Sequence, residues 1–245
     1  MDITSLLPFV GFVTGFIDSI AGGGGLITIP IFTEILGPGA HAIGTNKIAG
    51  ASGAIIALLV YWKGRKLNFK IAWKFLLAAI IGAVLGAWAT PFIPKIFFKW
   101  AIIISCPFLI FILLKKDLLV QYSSHHRLVS VWSLVLTGLV VGFYDGFFGP
   151  GGGTFMLLAL IWQVRLPLMD SLILSKLSNS LTALSSLISY QYQGYVHWKW
   201  GLLVASGMIV GSFVGAKLNN KHAAKLIRPV MIIVITGLMI RLIFL

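Results

Sequence analysis

Long apolar runs, separated by short polar or basic segments, extend along the whole of this 245-residue chain. Two of the runs are interrupted by glycines, GGGG at 22–25 and GPGGG at 149–153. Glycine costs about 1 kcal/mol and proline about 3 kcal/mol in a helix interior, so each segment is expected to break its helix. The apolar piece after each break is only about 11 residues long, whereas a spanning helix needs about 20. The pattern therefore predicts two half-helices.

The same order of elements is predicted twice along the chain. Each copy begins with an interrupted element, over about 4–21 and 26–36 in the first copy and about 128–148 and 154–164 in the second. Three longer helices then follow in each copy, predicted over 41–62, 71–92 and 96–114, and again over 168–193, 199–217 and 225–245.

Residue identities support an internal duplication. A spacing of 127 relates the start of the two copies, matching Gly15, Phe16 and Asp18 with Gly142, Phe143 and Asp145. Further along the spacing is 129, and the matched pairs are Lys47 and Lys176, Tyr61 and Tyr190, Gly82 and Gly211, and Gly86 and Gly215. Repeats of this kind indicate a duplicated structural unit. We assign residues 1–114 to a first membrane repeat, 115–127 to a basic linker and 128–245 to a second repeat, which together form one integrated domain.

Composition places the chain in a membrane. Hydrophobic residues make up 58% and charged residues 10%, with a mean hydropathy of +0.99, whereas a soluble domain carries about 25% charged residues. The fold class is therefore all-α and polytopic. The net charge of +13 comes mostly from short loops, where Lys and Arg set topology and meet anionic lipid. We expect contact with membrane lipid and no nucleic-acid partner.

The loop charges predict that the two repeats have opposite orientations in the membrane. The loop after the second helix is basic in the first copy, with Lys63, Arg65, Lys66, Lys70 and Lys74, and the corresponding loop of the second copy has little beyond Lys199. The imbalance reverses after the third helix, where the second copy carries Lys217, Lys221, Lys225 and Arg228. If basic loops are cytoplasmic, each copy crosses the membrane an odd number of times and both termini lie outside.

The two glycine breaks are the best candidates for a binding site. Non-helical backbone is tolerated at membrane depth only where protein buries it or water reaches it, and paired broken helices mark the binding sites of secondary transporters. A break also exposes helix N-termini, whose N–H groups suit anions. Close helix packing is the alternative role for such glycines. The candidate substrate-binding residues at the breaks are Gly22, Gly23, Gly24, Gly25, Gly149, Gly151, Gly152 and Gly153.

Ionisable residues near the breaks extend this candidate site. Lys47 and Lys176 lie near the start of the helix after each half-helix, and ionisable residues inside a span are functional by default. Neutral donors flank them, namely Thr45, Asn46, Ser175 and Asn179. Asp18 and Asp145 precede the breaks and are candidates for proton coupling or for helix capping. If each aspartate neutralises a lysine, anion binding rests on the helix ends alone.

The sequence lacks the residue patterns typical of phosphate binding, metal binding and enzymatic catalysis. The glycine segments do not end in the Lys-Ser/Thr of a phosphate-binding loop, no His pair has metal-ligand spacing, and no Ser-His-Asp or HExxH grouping indicates an enzyme. We therefore expect no metal, no cofactor and no catalytic residues. The chain is short for a carrier, which leaves room for a homodimer.

Four segments resemble a known family. GFIDSIAGGGGLITIP, GTNKIAG, GFYDGFFGPGGGTF and SKLSNS are similar to the signature segments of the TauE/SafE sulfite exporters, also called 4-toluene sulfonate uptake permeases. The resemblance covers the chain from about Gly11 to Leu245. It implies a transporter of the bacterial inner membrane for small sulfur-containing or organic anions, such as sulfite, thiosulfate, sulfoacetate or other sulfonates.

These observations lead to one functional hypothesis. A secondary transporter would bind its anion between the two breaks and move it by alternating access of the inverted halves, with a proton coupled through Asp18 or Asp145. A passive anion channel built from the same residues is the main alternative, and an intramembrane enzyme is a weaker one.

Overall fold

A computed structural model describes residues 3–63, 69–98, 100–101, 104, 130–163, 166 and 168–218. Within these ranges the protein is all-α, and no strand is assigned there. Eight helices are described, with bounds α1 Ile3–Ala21, α2 Gly25–Leu36, α3 Ala40–Trp62, α4 Phe69–Ala89, α5 Val131–Phe147, α6 Gly152–Trp162, α7 Leu168–Tyr192 and α8 Trp198–Lys217. A single 3-10 turn, Thr90–Phe92, extends α4.

Several predicted elements lie outside the described residues. They are the linker 115–127, the helix 225–245 and most of the helix 96–114, of which residues 96–98, 100, 101 and 104 are described as helical. Half of the loop charges that predict the orientation of the repeats lie outside as well, namely Arg65, Lys66, Lys221, Lys225 and Arg228. The inverted orientation and the domain boundaries therefore stay predictions.

The predicted breaks are confirmed. Helix α1 ends at Ala21 and α2 begins at Gly25, while α5 ends at Phe147 and α6 begins at Gly152, two residues earlier than predicted. With 12 and 11 residues, α2 and α6 are about 17–18 Å long, roughly half of a bilayer core. Among the residues that the structure describes, three helical segments are long and apolar enough to span a membrane, namely Ala40–Trp62, Trp73–Phe92 and Trp198–Lys217.

Helix α7 is long but much more polar than these three. Its 25 residues include a set of buried polar side chains, Ser171, Ser175, Lys176, Ser178, Ser180, Thr182, Ser186 and Ser189. A helix with this composition is stable in a membrane only when its polar side chains face protein. Helix α7 accordingly packs against α3, α4 and α6.

Glycines allow the backbones of two pairs of helices to come into direct contact. In the α1/α8 pair, a Cβ atom on Gly211 would lie 2.0 Å from the carbonyl oxygen of Phe12. In the α4/α5 pair, a Cβ atom on Gly82 would lie 2.2 Å from the carbonyl oxygen of Leu139. These glycines are repeat-related at a spacing of 129, and the two carbonyls are repeat-related at 127. Both contacts join a helix of one copy to a helix of the other, so the two halves interlock through the small residues typical of membrane helix interfaces.

We predict that Gly142→Ala destabilises the protein. A Cβ atom at this position would lie 2.0 Å from the carbonyl oxygen of Ala79, and backbone atoms on both sides cannot move aside without separating α4 from α5. The cost should be at least about 1–3 kcal/mol, measured as a lower unfolding temperature of the purified protein in detergent. Gly50→Ala is the control, because nothing lies within 4 Å of its Cβ position. Equal unfolding temperatures for both variants would contradict this close packing.

Candidate functional site

The two glycine breaks lie against each other in the middle of the fold. A Cβ atom on Gly25 would lie 3.3 Å from the Cα atom of Pro150, and a Cβ atom on Gly22 would lie 2.5 Å from Thr154 Oγ1. The N-terminal ends of α2 and α6 are therefore neighbours. Each end presents backbone N–H groups and a partial positive charge to the space between the breaks.

Two buried ion pairs cross between the copies at this point. The Nζ atom of Lys47 lies 3.2 Å from Oδ2 of Asp145, and Nζ of Lys176 lies 2.9 Å from Oδ2 of Asp18. All four side chains are at most 10% exposed. Each lysine thus pairs with the aspartate of the opposite repeat, which answers the question that the sequence left open. The four side chains together carry no net charge.

Each lysine also binds a backbone carbonyl at the end of a broken helix. Lys176 Nζ donates to the carbonyl oxygen of Asp18 at 2.7 Å, and Lys47 Nζ donates to that of Asp145. The last carbonyls of a helix have no partner within the helix, and at membrane depth an unpaired carbonyl is costly. The Asp18 carbonyl also accepts the N–H of Gly22 at 2.9 Å, so Lys176 adds a second hydrogen bond there, whereas Lys47 pairs the Asp145 carbonyl at the end of α5.

Two repeat-related tyrosines complete these helix ends. The hydroxyl of Tyr61 donates to the carbonyl oxygen of Ser19 at 2.6 Å, and that of Tyr190 donates to the carbonyl oxygen of Gly146 at 2.8 Å. Ser19 and Gly146 directly follow the two aspartates. The tyrosines matched in the sequence thus have the same role in both copies, a role that the sequence did not indicate.

A small polar cavity of about 30 Å³ lies between the breaks. It has room for one or two water molecules. Eleven of the predicted site residues line it, and they are Asp18, Gly23, Gly25, Asn46, Lys47, Asp145, Gly149, Gly151, Gly152, Gly153 and Asn179.

The other predicted site residues lie next to the cavity without lining it. Gly22 packs against Thr154, and the N–H of Gly24 donates to Asp18 Oδ1 at 2.8 Å. The hydroxyl of Thr45 accepts a hydrogen bond from the backbone N–H of His197, and that of Ser175 donates to the carbonyl of Leu172. Lys176, held by Asp18, is also outside the lining. These residues support the site and do not form its surface.

Sequence reasoning missed four lining residues, Thr28, Gly50, Ala183 and Met208. Gly50 lies four residues after Asn46 on α3, and Ala183 lies four residues after Asn179 on α7. Residues four apart share a helix face, so this spacing is a signal that could have found both. Thr28 donates its hydroxyl hydrogen bond to Asn46 Oδ1, which fixes the carboxamide at the cavity.

The two breaks differ in how the aspartate is held. Asp18 caps α2 by accepting the N–H of Gly24, which has right-handed helical backbone at φ −53°. The equivalent residue Gly151 has left-handed backbone at φ +72° and follows Pro150, which stands where the first copy has Gly23. Among the described residues Asp145 receives no such backbone N–H. The Pro150/Gly23 difference thus coincides with a different capping of the aspartate at two sites that are otherwise related by the repeat.

The described part of the chain contains no recognisable set of metal ligands. No group of three or more His, Cys, Asp and Glu side chains there is placed to hold a metal ion.

The all-α fold, its long apolar helices and its paired helix breaks define an integral membrane protein. The family model described as Sulfite exporter TauE/SafE matches residues 7–242. The chain belongs to this family and is a membrane transporter.

Curated relatives are similar over nearly their whole length. A probable membrane transporter protein of Haemophilus influenzae is 36% identical over 95% of this chain and 91% of its own length. The probable membrane transporter protein ORF9 of a Sinorhizobium species is 35% identical over 98% of this chain and 92% of its own. The Escherichia coli protein YfcA, with the same description, is 31% identical over 95% and 86%. No solved structure matches the chain significantly.

We predict that Lys176→Gln is strongly destabilising and that adding Asp18→Asn restores much of the loss. The single change leaves the Asp18 carboxylate buried without its cation, which costs about 3–5 kcal/mol. In the double variant both groups are neutral, and an asparagine oxygen can still accept the N–H of Gly24. Unfolding temperatures of the three variants and the wild type in detergent form a double-mutant cycle. Losses that simply add would contradict a direct pair.

Proposed function

We propose that this protein is a secondary transporter that moves small sulfur-containing or organic anions across the bacterial inner membrane by alternating access. The proposed substrate class includes sulfite, thiosulfate, sulfoacetate and other sulfonates, and the family description, which names a sulfite exporter, supports the first of these. The observation that carries the proposal is the polar cavity between the N-terminal ends of two half-helices. Half-helix N-termini of this kind bind anionic groups of transporter substrates.

Electrostatics at the cavity favour an anion of small size. The two lysines and two aspartates cancel, so the remaining positive potential comes from the ends of α2 and α6. The Asn46 and Asn179 carboxamides and the glycine backbone line the same space. These groups offer several neutral hydrogen-bond donors for the oxygens of an oxyanion.

The size of the cavity supports a carrier over a channel. A volume of about 30 Å³ admits only one or two waters, so even an anion of four or five heavy atoms enters only when the residues around it separate. A carrier passes through closed states of this kind in each cycle. In the proposal the two repeats are inverted, both termini lie outside, and the exposed apolar faces contact lipid.

Counterflow tests the function directly. Proteoliposomes loaded with unlabelled sulfite, thiosulfate or sulfoacetate should concentrate the same anion, labelled with radioactive sulfur, from outside. A channel would let the label equilibrate without transient accumulation. If correctly folded protein supports neither counterflow nor flux of any sulfur anion, the proposed substrate class is wrong.

We predict that Asn179→Asp lowers counterflow at least tenfold. The change keeps the shape of the side chain and places a negative charge at the N-terminal end of α6, beside Gly153. A repulsion of about 1.4 kcal/mol is enough for a tenfold loss of affinity. Gln191→Glu is the matched control, because it adds the same charge at an exposed position of the same helix. Unchanged counterflow in Asn179→Asp would place the anion away from the cavity.

A further inference from the structure

We propose that Asp145 takes up a proton with each transported anion, so that Lys47 is released from its ion pair and binds the anion, while the Lys176–Asp18 pair stays closed. This inference rests on the proposed function and gives the two repeat-related ion pairs different roles. The two pairs differ in their access to the cavity and in the use of their carboxylate oxygens.

Only one ion pair has both partners at the cavity. Lys47 and Asp145 both line it, whereas Asp18 lines it and Lys176 does not. A Cβ atom on Gly149 would lie 3.3 Å from Lys47 Nζ, so the ammonium group lies directly against the break of the second copy. An anion that enters when the residues around the cavity separate can therefore contact Lys47 directly, whereas Lys176 does not line the space that the anion enters.

The two carboxylates also differ in how their oxygens are used. Both oxygens of Asp18 are occupied, Oδ1 by the N–H of Gly24 and Oδ2 by Lys176. In Asp145 only Oδ2 has a partner among the described residues, and that partner is Lys47. The separation to Lys47 is 3.2 Å, against 2.9 Å in the other pair. Asp145 Oδ1 is the acceptor that remains available for a proton.

Glycine at position 152 keeps this oxygen accessible. A Cβ atom there would lie 2.2 Å from Asp145 Oδ1, so any side chain would fill the space into which the oxygen projects. The turn before it is held by Tyr144, whose hydroxyl donates to the carbonyl of Pro150 at 2.7 Å. Because Pro150 and the left-handed Gly151 direct the turn differently from the first copy, no backbone N–H caps Asp145 in the described part of the chain.

Charge balance then links the proton to the anion. The four paired side chains sum to zero, so one bound anion leaves the buried site with excess negative charge, which is costly at membrane depth. A proton from water that binds Asp145 Oδ1 converts the carboxylate to a neutral acid and cancels one negative charge, and the second charge of a dianion such as thiosulfate faces the positive N-terminal ends of α2 and α6. Lys47 keeps its bond to the Asp145 carbonyl and directs its charge to the anion. The reverse occurs on release, so no other reactant is needed.

Asp145 is the acceptor for this proton because the titratable groups around it are already engaged in ion pairs or hydrogen bonds. Lys47 of α3 and Lys176 of α7 are both engaged in the ion pairs. Tyr190, also on α7, donates its hydroxyl hydrogen bond to the carbonyl oxygen of Gly146. From α1, Asp18 lines the same cavity with both oxygens bonded. Helix α6 contains no titratable residue, and the α4 residues that contact the glycines of α5, namely Phe75, Ala79 and Ala83, are apolar.

The test measures proton and anion movement together in proteoliposomes with the membrane potential clamped. The probes are thiosulfate and sulfoacetate, whose charges do not change near neutral pH, and a pH-sensitive dye is enclosed in the vesicles. In the wild type we expect about one proton per anion, and an apparent affinity that falls about tenfold per pH unit as the pH rises. In Asp145→Asn we expect anion exchange without proton movement and an affinity independent of pH.

The matched comparison is the double variant Asp18→Asn/Lys176→Gln, which removes the repeat-related pair without leaving a buried charge. It should keep the proton-to-anion ratio of the wild type, even if its rate and its stability are lower. Loss of the ratio in this variant, with the ratio retained in Asp145→Asn, would reverse the assignment.

Failure of this inference is distinguishable from failure of the function. Wild-type protein that transports the anion with no proton movement and no pH-dependent affinity overturns the role of Asp145 and leaves the carrier intact. Wild-type protein that moves neither probe nor sulfite overturns the proposed function itself. Because the stoichiometry of the wild type decides the first point, the test stands even where Asp145→Asn does not fold.

Discussion

Every feature of this site depends on one constraint, the cost of unpaired backbone groups at membrane depth. Breaking α1 and α5 in the middle of the fold exposes carbonyls at their C-terminal ends and N–H groups at the starts of α2 and α6. The carbonyls are satisfied by lysine and tyrosine side chains, and Asp18 satisfies one of the N–H groups. Glycines of both breaks, with their backbone groups, line a small cavity. The groups available to bind a ligand are therefore those that are not used to cap the helix ends.

Small residues make this arrangement possible. The backbones of α1 and α8, and of α4 and α5, approach to distances at which a Cβ atom would overlap a carbonyl oxygen. Without a hydrophobic driving force between helices in lipid, such close packing is a main source of stability. It joins the copies on both sides of the breaks, and the crossed ion pairs join them in the middle. The breaks are thus held by contacts that belong to both halves.

Much of this organisation could be predicted from the sequence, because composition, hydrophobic run length and glycine clusters each have a direct physical meaning. The breaks, the half-helices and the all-α fold followed from these signals. The crossed pairing of Lys47 with Asp145 did not, since matched repeats are equally compatible with pairing inside each copy. The polar character of α7 was visible in its serines, but which of them face protein depends on packing. Pro150 was visible too, yet its effect on the capping of Asp145 required the geometry of the turn.

The crossed pairs have a consequence for biosynthesis. Asp18 is synthesised 158 residues before Lys176, and Lys47 is synthesised 98 residues before Asp145. During translation the first repeat therefore enters the membrane with an acid and a base that have not yet met their partners. An ionised group without its partner is unfavourable in lipid, so the first repeat reaches its most favourable state in the membrane only after the second repeat has been made. The order of synthesis makes the last part of the chain responsible for completing the fold of the first.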